Sequence, residues 1–243
     1  MKITEMEEKL NSLCIKTVDY KENDRLITLC TAEKGKVLVK AAGCKSPKAK
    51  LKFAASPLCF GEYIVIERGG RYTLKGCEPY DTFSELAKDL KRYYAGFSVL
   101  EWIDKLSNEN ETETCRGLLL YGTDALKNLA YSETSPEKII LEFMISALEI
   151  SGYKLNLSTC AVSGKSLDGS RICYDFYAGG VVLFENRSMD YIEITPDDAA
   201  ILKGDNSAAA PAEYKKLIYN IESVMCYAAN IKKNYSLGEF LKL

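Results

Sequence analysis

The stretch YKENDRLITLCTAEKGKVLVKAAGCKSPKAKL, Tyr20–Leu51, decides how the sequence is interpreted. Within it, Arg25–Ala32 is rich in branched and apolar side chains, a composition typical of a β-strand. The turn Glu33–Lys36 follows, and Gly35 can adopt the positive φ that a tight turn requires. Lys36–Ala42 (KVLVKAA) then reads as the partner strand. The stretch therefore predicts a β-hairpin that leads into a polar loop containing Gly, Ser and Pro.

Further strands are predicted on both sides of this hairpin. Ser12–Val18 alternates loosely, Pro57–Glu67 contains the apolar run YIVIE, and Tyr72–Glu78 follows the hairpin connection Arg68–Arg71. Five short strands within about 65 residues favour a small closed barrel, because closure leaves no unpaired edge. An SH3-like barrel or an open sheet fits the same number of strands.

Helical periodicity begins at Asp81. Thr82–Glu85 (TFSE) has the pattern of a capping box, and apolar residues then recur every three or four positions as far as Ile103. Other helices are predicted over Thr114–Ala130, after Ser135-Pro136, after Thr195-Pro196, and over Glu213–Lys233. Because these helices have to bury their apolar stripes on one another, we expect a helical bundle.

The fold class predicted from these patterns is α+β and multidomain. A barrel domain occupies residues 1–80, and an all-α bundle occupies residues 81–243. A β-like insert rich in Gly, Ser and Tyr interrupts the bundle at about residues 156–194.

Composition excludes several classes of protein. Hydrophobic residues make up 47% and charged residues 27%, which is typical of a globular chain and not of a disordered one. The absence of histidine excludes Ser-His-Asp and Cys-His catalysis and every His-containing metal site. The nine cysteines form no C-x-x-C pair, and no signal peptide or membrane-spanning run is present. We therefore expect a cytoplasmic protein with reduced thiols and no membrane partner.

No catalytic motif is complete. Gly35-Lys36 fails as a phosphate-binding loop, because Cys30 and Val37 occupy the positions that need Gly and Ser or Thr. Asp197-Asp198 lies in the first turn of a predicted helix, where a structural role is favoured over a metal site. The sequence therefore indicates a protein that is not an enzyme.

Charge is distributed unevenly, although the net charge is only −2. Residues 1–80 contain 15 basic and 10 acidic residues, whereas residues 81–243 contain 17 and 24. Seven lysines and no acidic residue fall between positions 34 and 52: Lys34, Lys36, Lys40, Lys45, Lys48, Lys50 and Lys52. Lysines beside a barrel suit a polyanion, since they neutralise phosphates and release counterions. A solvated face that only maintains solubility is the alternative.

Aromatic stacking partners are less evident. Tyr20, Phe53, Phe60 and Tyr63 are available in this half of the chain, and a core position is favoured for each of them.

The Tyr20–Leu51 stretch resembles the RecO family of bacterial recombination mediator proteins. The matching positions are Tyr20, Glu22, Asp24, Arg25, Thr31, Gly35, Ala42 and Gly43. The resemblance implies an oligonucleotide-binding (OB) barrel, a helical domain and a zinc-knuckle insert. Arg25 becomes a candidate DNA contact beside the seven lysines, although pairing with Glu22 or Asp24 is equally favoured.

The insert departs from the family pattern, in which two C-x-x-C pairs flank a Gly-Gly stretch. The four corresponding positions here are Cys160, Ser163, Leu183 and Asn186, and Cys173 is out of register. Tetrahedral zinc needs four thiolate or imidazole ligands, so one thiol does not suffice. We therefore expect no zinc and no other cofactor.

The function implied by the resemblance is DNA repair and homologous recombination. Such a protein would bind single- and double-stranded DNA and anneal complementary strands. With RecR, it would help RecA, an indirect partner, to replace single-strand-binding protein, whose acidic C-terminal tail would dock on the helical domain. A protein-interaction adaptor with weak or lost nucleic-acid binding, or an OB-fold RNA binder, is the alternative.

Overall fold

The computed structural model describes residues 6–205 and 209–243. Within them the chain forms eight β-strands and six α-helices. The chain is divided into two compact units. The first unit contains the described residues up to Pro136 together with Asn234–Leu243, and the second contains those of Glu137–Lys233.

Five strands of the first unit close into a barrel in the order β1-β2-β3-β5-β4. The strands are β1 (Met6–Tyr20), β2 (Asp24–Thr31), β3 (Gly35–Ala41), β4 (Phe60–Arg68) and β5 (Arg71–Asp81). Strands β3 and β5 pair in parallel, and β4 returns to pair with β1. This closed five-stranded arrangement confirms the predicted OB-fold barrel over the SH3-like and open-sheet alternatives.

Alternation along β3 determines which side chains face outward. Val37 and Val39 are buried in the barrel core, whereas Leu38 is exposed and Lys36 and Lys40 are partly exposed. Because successive side chains of a strand point to opposite faces, one strand supplies both core and surface. The hairpin that the sequence predicted therefore presents a basic outer face.

The helices of the first unit follow the barrel in the chain. They are α1 (Leu90–Leu106), α2 (Thr112–Tyr131) and α6 (Tyr235–Lys242). Helix α1 packs on α2 and α6, and α2 also packs on β2 and β3.

The predicted capping box at Thr82–Glu85 is wrong. Phe83 adopts a left-handed conformation (φ 46°), and its backbone N donates to Asp81 Oδ1 at 2.8 Å. A short 3-10 helix, Ser84–Lys88, follows this turn, and α1 begins only after Asp89, whose side chain accepts from the Arg92 amide. The Phe83 side chain is buried, so core packing overrides the local capping signal.

The predicted helix Glu213–Lys233 is shorter at its C-terminal end. Helix α5 spans Pro211–Ala228, and Asn230 follows it with a left-handed φ of 52°. The Ile231 amide then donates to the Cys226 carbonyl, a closure typical of a helix that ends in an αL residue.

The second unit contains α3, α4, α5 and a small sheet. Helix α3 spans Pro136–Ile150 and α4 spans Pro196–Leu202. Strands β6 (Ile172–Asp175), β7 (Gly180–Leu183) and β8 (Tyr191–Ile194) lie within the predicted insert and form an antiparallel sheet in the order β7-β6-β8.

The acidic pair before α4 has the structural role that its position predicted. Asp198 closes a capping box with Thr195 and forms an ion pair with Lys216 at 2.7 Å.

We predict that Gly35→Ala destabilises the first unit strongly. Gly35 has φ +76°, and an added Cβ would lie 3.0 Å from the Asn108 carbonyl oxygen and 3.1 Å from the amides of Asn110 and Glu111. Left-handed strain of about 1–2 kcal/mol adds to this contact, so we expect urea unfolding to show a loss of roughly 2–4 kcal/mol.

Gly70→Ala is the matched control, since Gly70 has φ +79° and nothing within 4 Å of an added Cβ. Only the strain of about 1–2 kcal/mol should then appear. Equal losses in the two variants would show that the approach of the β2–β3 turn to residues 108–111 is unimportant.

Candidate nucleic-acid interface

An open cavity of about 1000 Å³ lies on the outer surface of β2 and β3. We call it the barrel groove. The β4–β5 turn and the α1–α2 connection also line it. The charged and aromatic residues that line it are Tyr20, Glu33, Lys34, Lys36, Lys40, Arg71, Tyr72 and Glu109. The barrel groove therefore combines four cationic groups, two tyrosines and two carboxylates on one face of the OB-fold.

Two tyrosines of the barrel groove lie close to lysine side chains. Lys34 Nζ is 5.4 Å from the Tyr72 ring centroid, and Lys40 Nζ is 6.0 Å from the Tyr20 ring centroid. Tyr20 is 38% exposed, so its ring is available to a flat ligand. Bases of a single strand stack on such rings whatever their sequence.

The aromatic predictions from sequence were correct only in part. Tyr63 is buried in the barrel, where its hydroxyl donates to the Ala54 and Cys59 carbonyls, as a core assignment requires. The core assignment of Tyr20 is wrong, because β1 ends there and the ring lies in the barrel groove. The core assignment of Phe53 is wrong as well, because this residue is exposed on the connection between β3 and β4.

Arg71 and Tyr72 were missed as site residues. They begin β5, which reaches the barrel groove through its parallel pairing of Tyr72 with Val39 of β3. No local sequence signal reveals a pairing between strands that are so far apart in the chain.

The seven lysines fall into two groups. Lys34, Lys36 and Lys40 line the barrel groove. The other four, which we call the loop lysines, lie on the connection between β3 and β4: Lys45, Lys48, Lys50 and Lys52. Among the described residues no ion pair or hydrogen bond involves the Lys48, Lys50 or Lys52 side chain, and all three residues are exposed.

Carboxylates from elsewhere in the chain pair with the lysines of the barrel groove. Lys34 Nζ is 2.7 Å from a carboxylate oxygen of Glu8, and this hydrogen bond raises the pKa of Lys34. Lys36 Nζ donates to the Asp104 carbonyl at 2.7 Å and lies 3.3 Å from Asp104 Oδ1. Residues 34–52 contain no acidic side chain, but folding brings carboxylates from other parts of the chain next to their lysines.

Two further ion pairs lie where the β3–β4 connection joins the barrel. Lys40 pairs with Asp24 at 3.0 Å and Lys45 pairs with Asp19 at 2.8 Å. The hydrogen bond from Lys45 holds the pKa of Asp19 below its ordinary value. Four of the seven lysines are therefore partly neutralised, and Lys48, Lys50 and Lys52 carry the uncompensated charge.

Arg25 is bonded within the barrel, to a partner that the sequence did not suggest. Its Nε lies 3.3 Å from Asp19 Oδ1, and its Nη1 donates to the Ala55 carbonyl at 3.1 Å. Asp24 instead accepts from the Gly43 amide at 2.8 Å. Asp24 and Arg25 thus hold the beginning and the end of the β3–β4 connection against β2.

The four knuckle positions of the insert converge on one sulfur. The Ser163 and Leu183 amides each donate to Cys160 Sγ at 3.4 Å, and this thiol donates to Asn186 Oδ1 at 3.7 Å. Burial raises the pKa of the Cys160 thiol, but hydrogen bonds from Ser163 and Leu183 outweigh burial and lower the pKa to about 7.

These residues do not fit a zinc ion. One thiol is present where tetrahedral zinc needs four ligands. Across residues 6–205 and 209–243, no group of three or more His, Cys, Asp or Glu side chains is placed to hold a metal. The absence of zinc remains a prediction for metal analysis.

None of the helices in the described part of the chain is long and apolar enough to span a bilayer.

Comparisons with known proteins agree with this architecture. A family model described as Recombination protein O N terminal matches residues 6–83, and one described as Recombination protein O C terminal matches residues 87–203. The boundary between the two matches falls where the barrel gives way to helices.

The chain is also similar to curated proteins named DNA repair protein RecO. Identity is 28% over 159 residues with the protein of Acetivibrio thermocellus, 30% over 176 with that of Clostridium novyi, and 32% over 173 with that of Clostridium perfringens. These matches cover 65%, 71% and 69% of this chain, and 62%, 67% and 67% of the respective relatives.

We predict that Asp24→Ala frees the start of the β3–β4 connection. The variant lacks the acceptor of the Gly43 amide and the partner of Lys40. The Gly43 amide hydrogen should therefore exchange faster with solvent, as measured by NMR or mass spectrometry. Asp124→Ala, which removes a carboxylate of α2, should leave this exchange unchanged.

The effect should depend on pH. The Gly43 hydrogen bond, followed by Lys40, lowers the Asp24 pKa below its ordinary value of 3.8. The Asp24 carboxylate therefore stabilises the β3–β4 connection fully above about pH 5, and this stabilisation is lost as the carboxylate is protonated below about pH 4. A difference between wild type and variant that does not shrink as the pH is lowered below 3.8 would contradict this assignment.

Proposed function

The chain belongs to the RecO family of DNA repair proteins, and we propose that it binds single- and double-stranded DNA through its barrel and mediates homologous recombination. The observation that carries the proposal is the barrel groove, in which Tyr20 and Tyr72 lie beside Lys34, Lys36 and Lys40. Stacking platforms beside cations are the features that bind single strands without sequence preference.

The loop lysines supply a second kind of contact. Lys48, Lys50 and Lys52 are exposed on one connection and form no ion pair within the described residues. Phosphate neutralisation by lysine requires no particular base, so this group suits the backbones of single strands and duplexes alike. Screening by these charges would also lower the repulsion between two approaching strands, which supports a role in annealing.

We extend the proposal to the partners that the family implies. The protein would act without catalysis in the cytoplasm, at the nucleoid. There it would work with RecR to load RecA onto strands that single-strand-binding protein covers, and its helical domain would receive the acidic tail of that protein. Mixing it with RecR and with labelled tail peptide in separate titrations tests these contacts.

The adaptor alternative has one observation in its favour, which is the neutralisation of four lysines by Glu8, Asp104, Asp24 and Asp19. Fluorescence anisotropy with labelled single-stranded DNA across a salt series separates the two functions. Binding that weakens with salt supports the mediator. Absent or salt-insensitive binding supports the adaptor, and a preference for RNA of the same sequence supports an RNA binder.

We predict that replacing Lys48, Lys50 and Lys52 together with Gln weakens binding to single strands and duplexes alike. If each lysine neutralises one phosphate, the slope of log affinity against log salt should fall by about 2 on single strands. The control replaces Lys127, Lys232 and Lys233, which are also exposed, with Gln. An equal effect of the two triple variants would remove the case for the loop lysines.

We predict that Tyr20→Ala and Tyr72→Ala weaken single-strand binding selectively. Stacking contributes roughly 1–3 kcal/mol per base, so each variant should lose about 5- to 150-fold in affinity for single strands and much less for duplexes. Tyr121→Ala, which removes a ring of α2 that is 46% exposed, is the control. Parallel losses on both kinds of DNA would contradict a stacking role for the barrel groove.

A further inference from the structure

The insert of the second unit is built around two backbone segments that meet. The first is the turn Cys160–Gly164, which is closed by the Gly164 amide on the Cys160 carbonyl at 2.9 Å. The second is the end of β7 with the following residues up to Asn186. The Ala161 amide also donates to the Val181 carbonyl at 2.9 Å, so the turn adds to the edge of the small sheet.

One buried sulfur lies at the point where these segments meet. Cys160 is 3% exposed, and its Sγ accepts from the amides of Ser163 and Leu183, one from each segment. The Asn186 side-chain oxygen lies 3.7 Å from the same sulfur. Ser163, which is three positions after Cys160, and Leu183 and Asn186, which are also three positions apart, thus surround the Cys160 sulfur.

We propose that the Cys160 sulfur joins the two segments in this chain in place of a metal ion, so that the insert folds without one. The sulfur accepts from the Leu183 amide, a buried donor that would otherwise lack an acceptor, and from the amide of Ser163, whose residue is exposed. Leaving a buried donor unpaired is costly, so these bonds fix how the turn and β7 approach each other.

Packing of the small sheet supports a fold without metal. The Tyr174 ring lies 5.3 Å from that of Phe176, which lies 5.1 Å from the ring of Tyr227 on α5. Ile172, Cys173, Val181 and Val182 are buried as well. This apolar surface gives the insert a core of its own, which the turn and its sulfur close at one end.

The convergence has a second consequence. Since Ser163, Leu183 and Asn186 lie around the Cys160 sulfur, thiols at all four positions would supply the four ligands that tetrahedral zinc takes. Three substitutions to Cys, at Ser163, Leu183 and Asn186, should therefore create a metal site around Cys160, which makes them a test of this geometry.

Metal analysis of the full chain tests the first part. Protein purified without added metal should contain far less than one zinc per chain, and its melting temperature should be unchanged by EDTA. Stoichiometric zinc, or a melting temperature that falls on chelation, would overturn the proposal. Neither outcome depends on DNA binding, so a failure here is separate from a failure of the proposed function.

Cobalt titration tests the second part. The triple variant Ser163→Cys, Leu183→Cys, Asn186→Cys should bind one Co²⁺ per chain and show the visible absorption of a tetrahedral thiolate site. The wild type should show none. A folded triple variant that binds no Co²⁺ would disprove the convergence of the four positions.

Amide exchange keeps the proposal testable if the triple variant does not fold. Cys160→Ala should accelerate exchange of the Ser163 and Leu183 amides at least tenfold, and Cys160→Ser should restore much of the protection because its hydroxyl can accept. Cys173→Ala, which alters a buried thiol of β6 with no such role, is the control. Unchanged exchange in Cys160→Ala would overturn the proposal.

Discussion

The pairing of β3 with β5 is the constraint on which the barrel and its surface both depend. It closes the sheet through Val39 and Tyr72, in parallel and between distant parts of the chain. Without it, β3 would be an open edge, and Arg71 and Tyr72 would be separated from the lysines of the hairpin. Closure of the core and assembly of the barrel groove are therefore the same event.

Ion pairing gives the two lysine groups different properties. Glu8 and Asp104 hold Lys34 and Lys36 in the barrel groove, so a bound phosphate has to exchange with a carboxylate there. Both ion pairs are part-buried, so a phosphate that binds there competes with a carboxylate that is already in place. Phosphate binding at a paired lysine displaces a protein carboxylate as well as counterions. Such a lysine therefore contributes less to the salt dependence of binding than a free lysine does. The unpaired loop lysines are thus expected to dominate the salt dependence, and the barrel groove to dominate strand selectivity.

Features of this protein that depend on neighbouring residues in the sequence could be predicted, whereas particular contacts between distant residues could not. The β2–β3 hairpin and the start of α3 at Pro136 depend on local patterns and were predicted. The closed barrel was predicted from the number of strands, although the β3–β5 pair that closes it joins distant parts of the chain. The start of α1 was not, because burial of Phe83 outweighs a local capping motif. The carboxylates that pair with the lysines come from β1, β2 and α1. A count of charges along residues 34–52 could not reveal them, since only folding brings them together.

The insert shows how a knuckle-like turn can form where one thiol is present in place of the four ligands of a zinc ion. A structural zinc ion contributes on the order of 10 kcal/mol to small domains, whereas a protein hydrogen bond contributes about 1 kcal/mol net. The two amide bonds to Cys160 therefore cannot replace the energy of a metal site. Burial of side chains such as Tyr174 and Val182 can, at roughly 1.5–3 kcal/mol for each large apolar group. Packing in the sheet thus supplies the stability, and the sulfur determines the geometry of the turn.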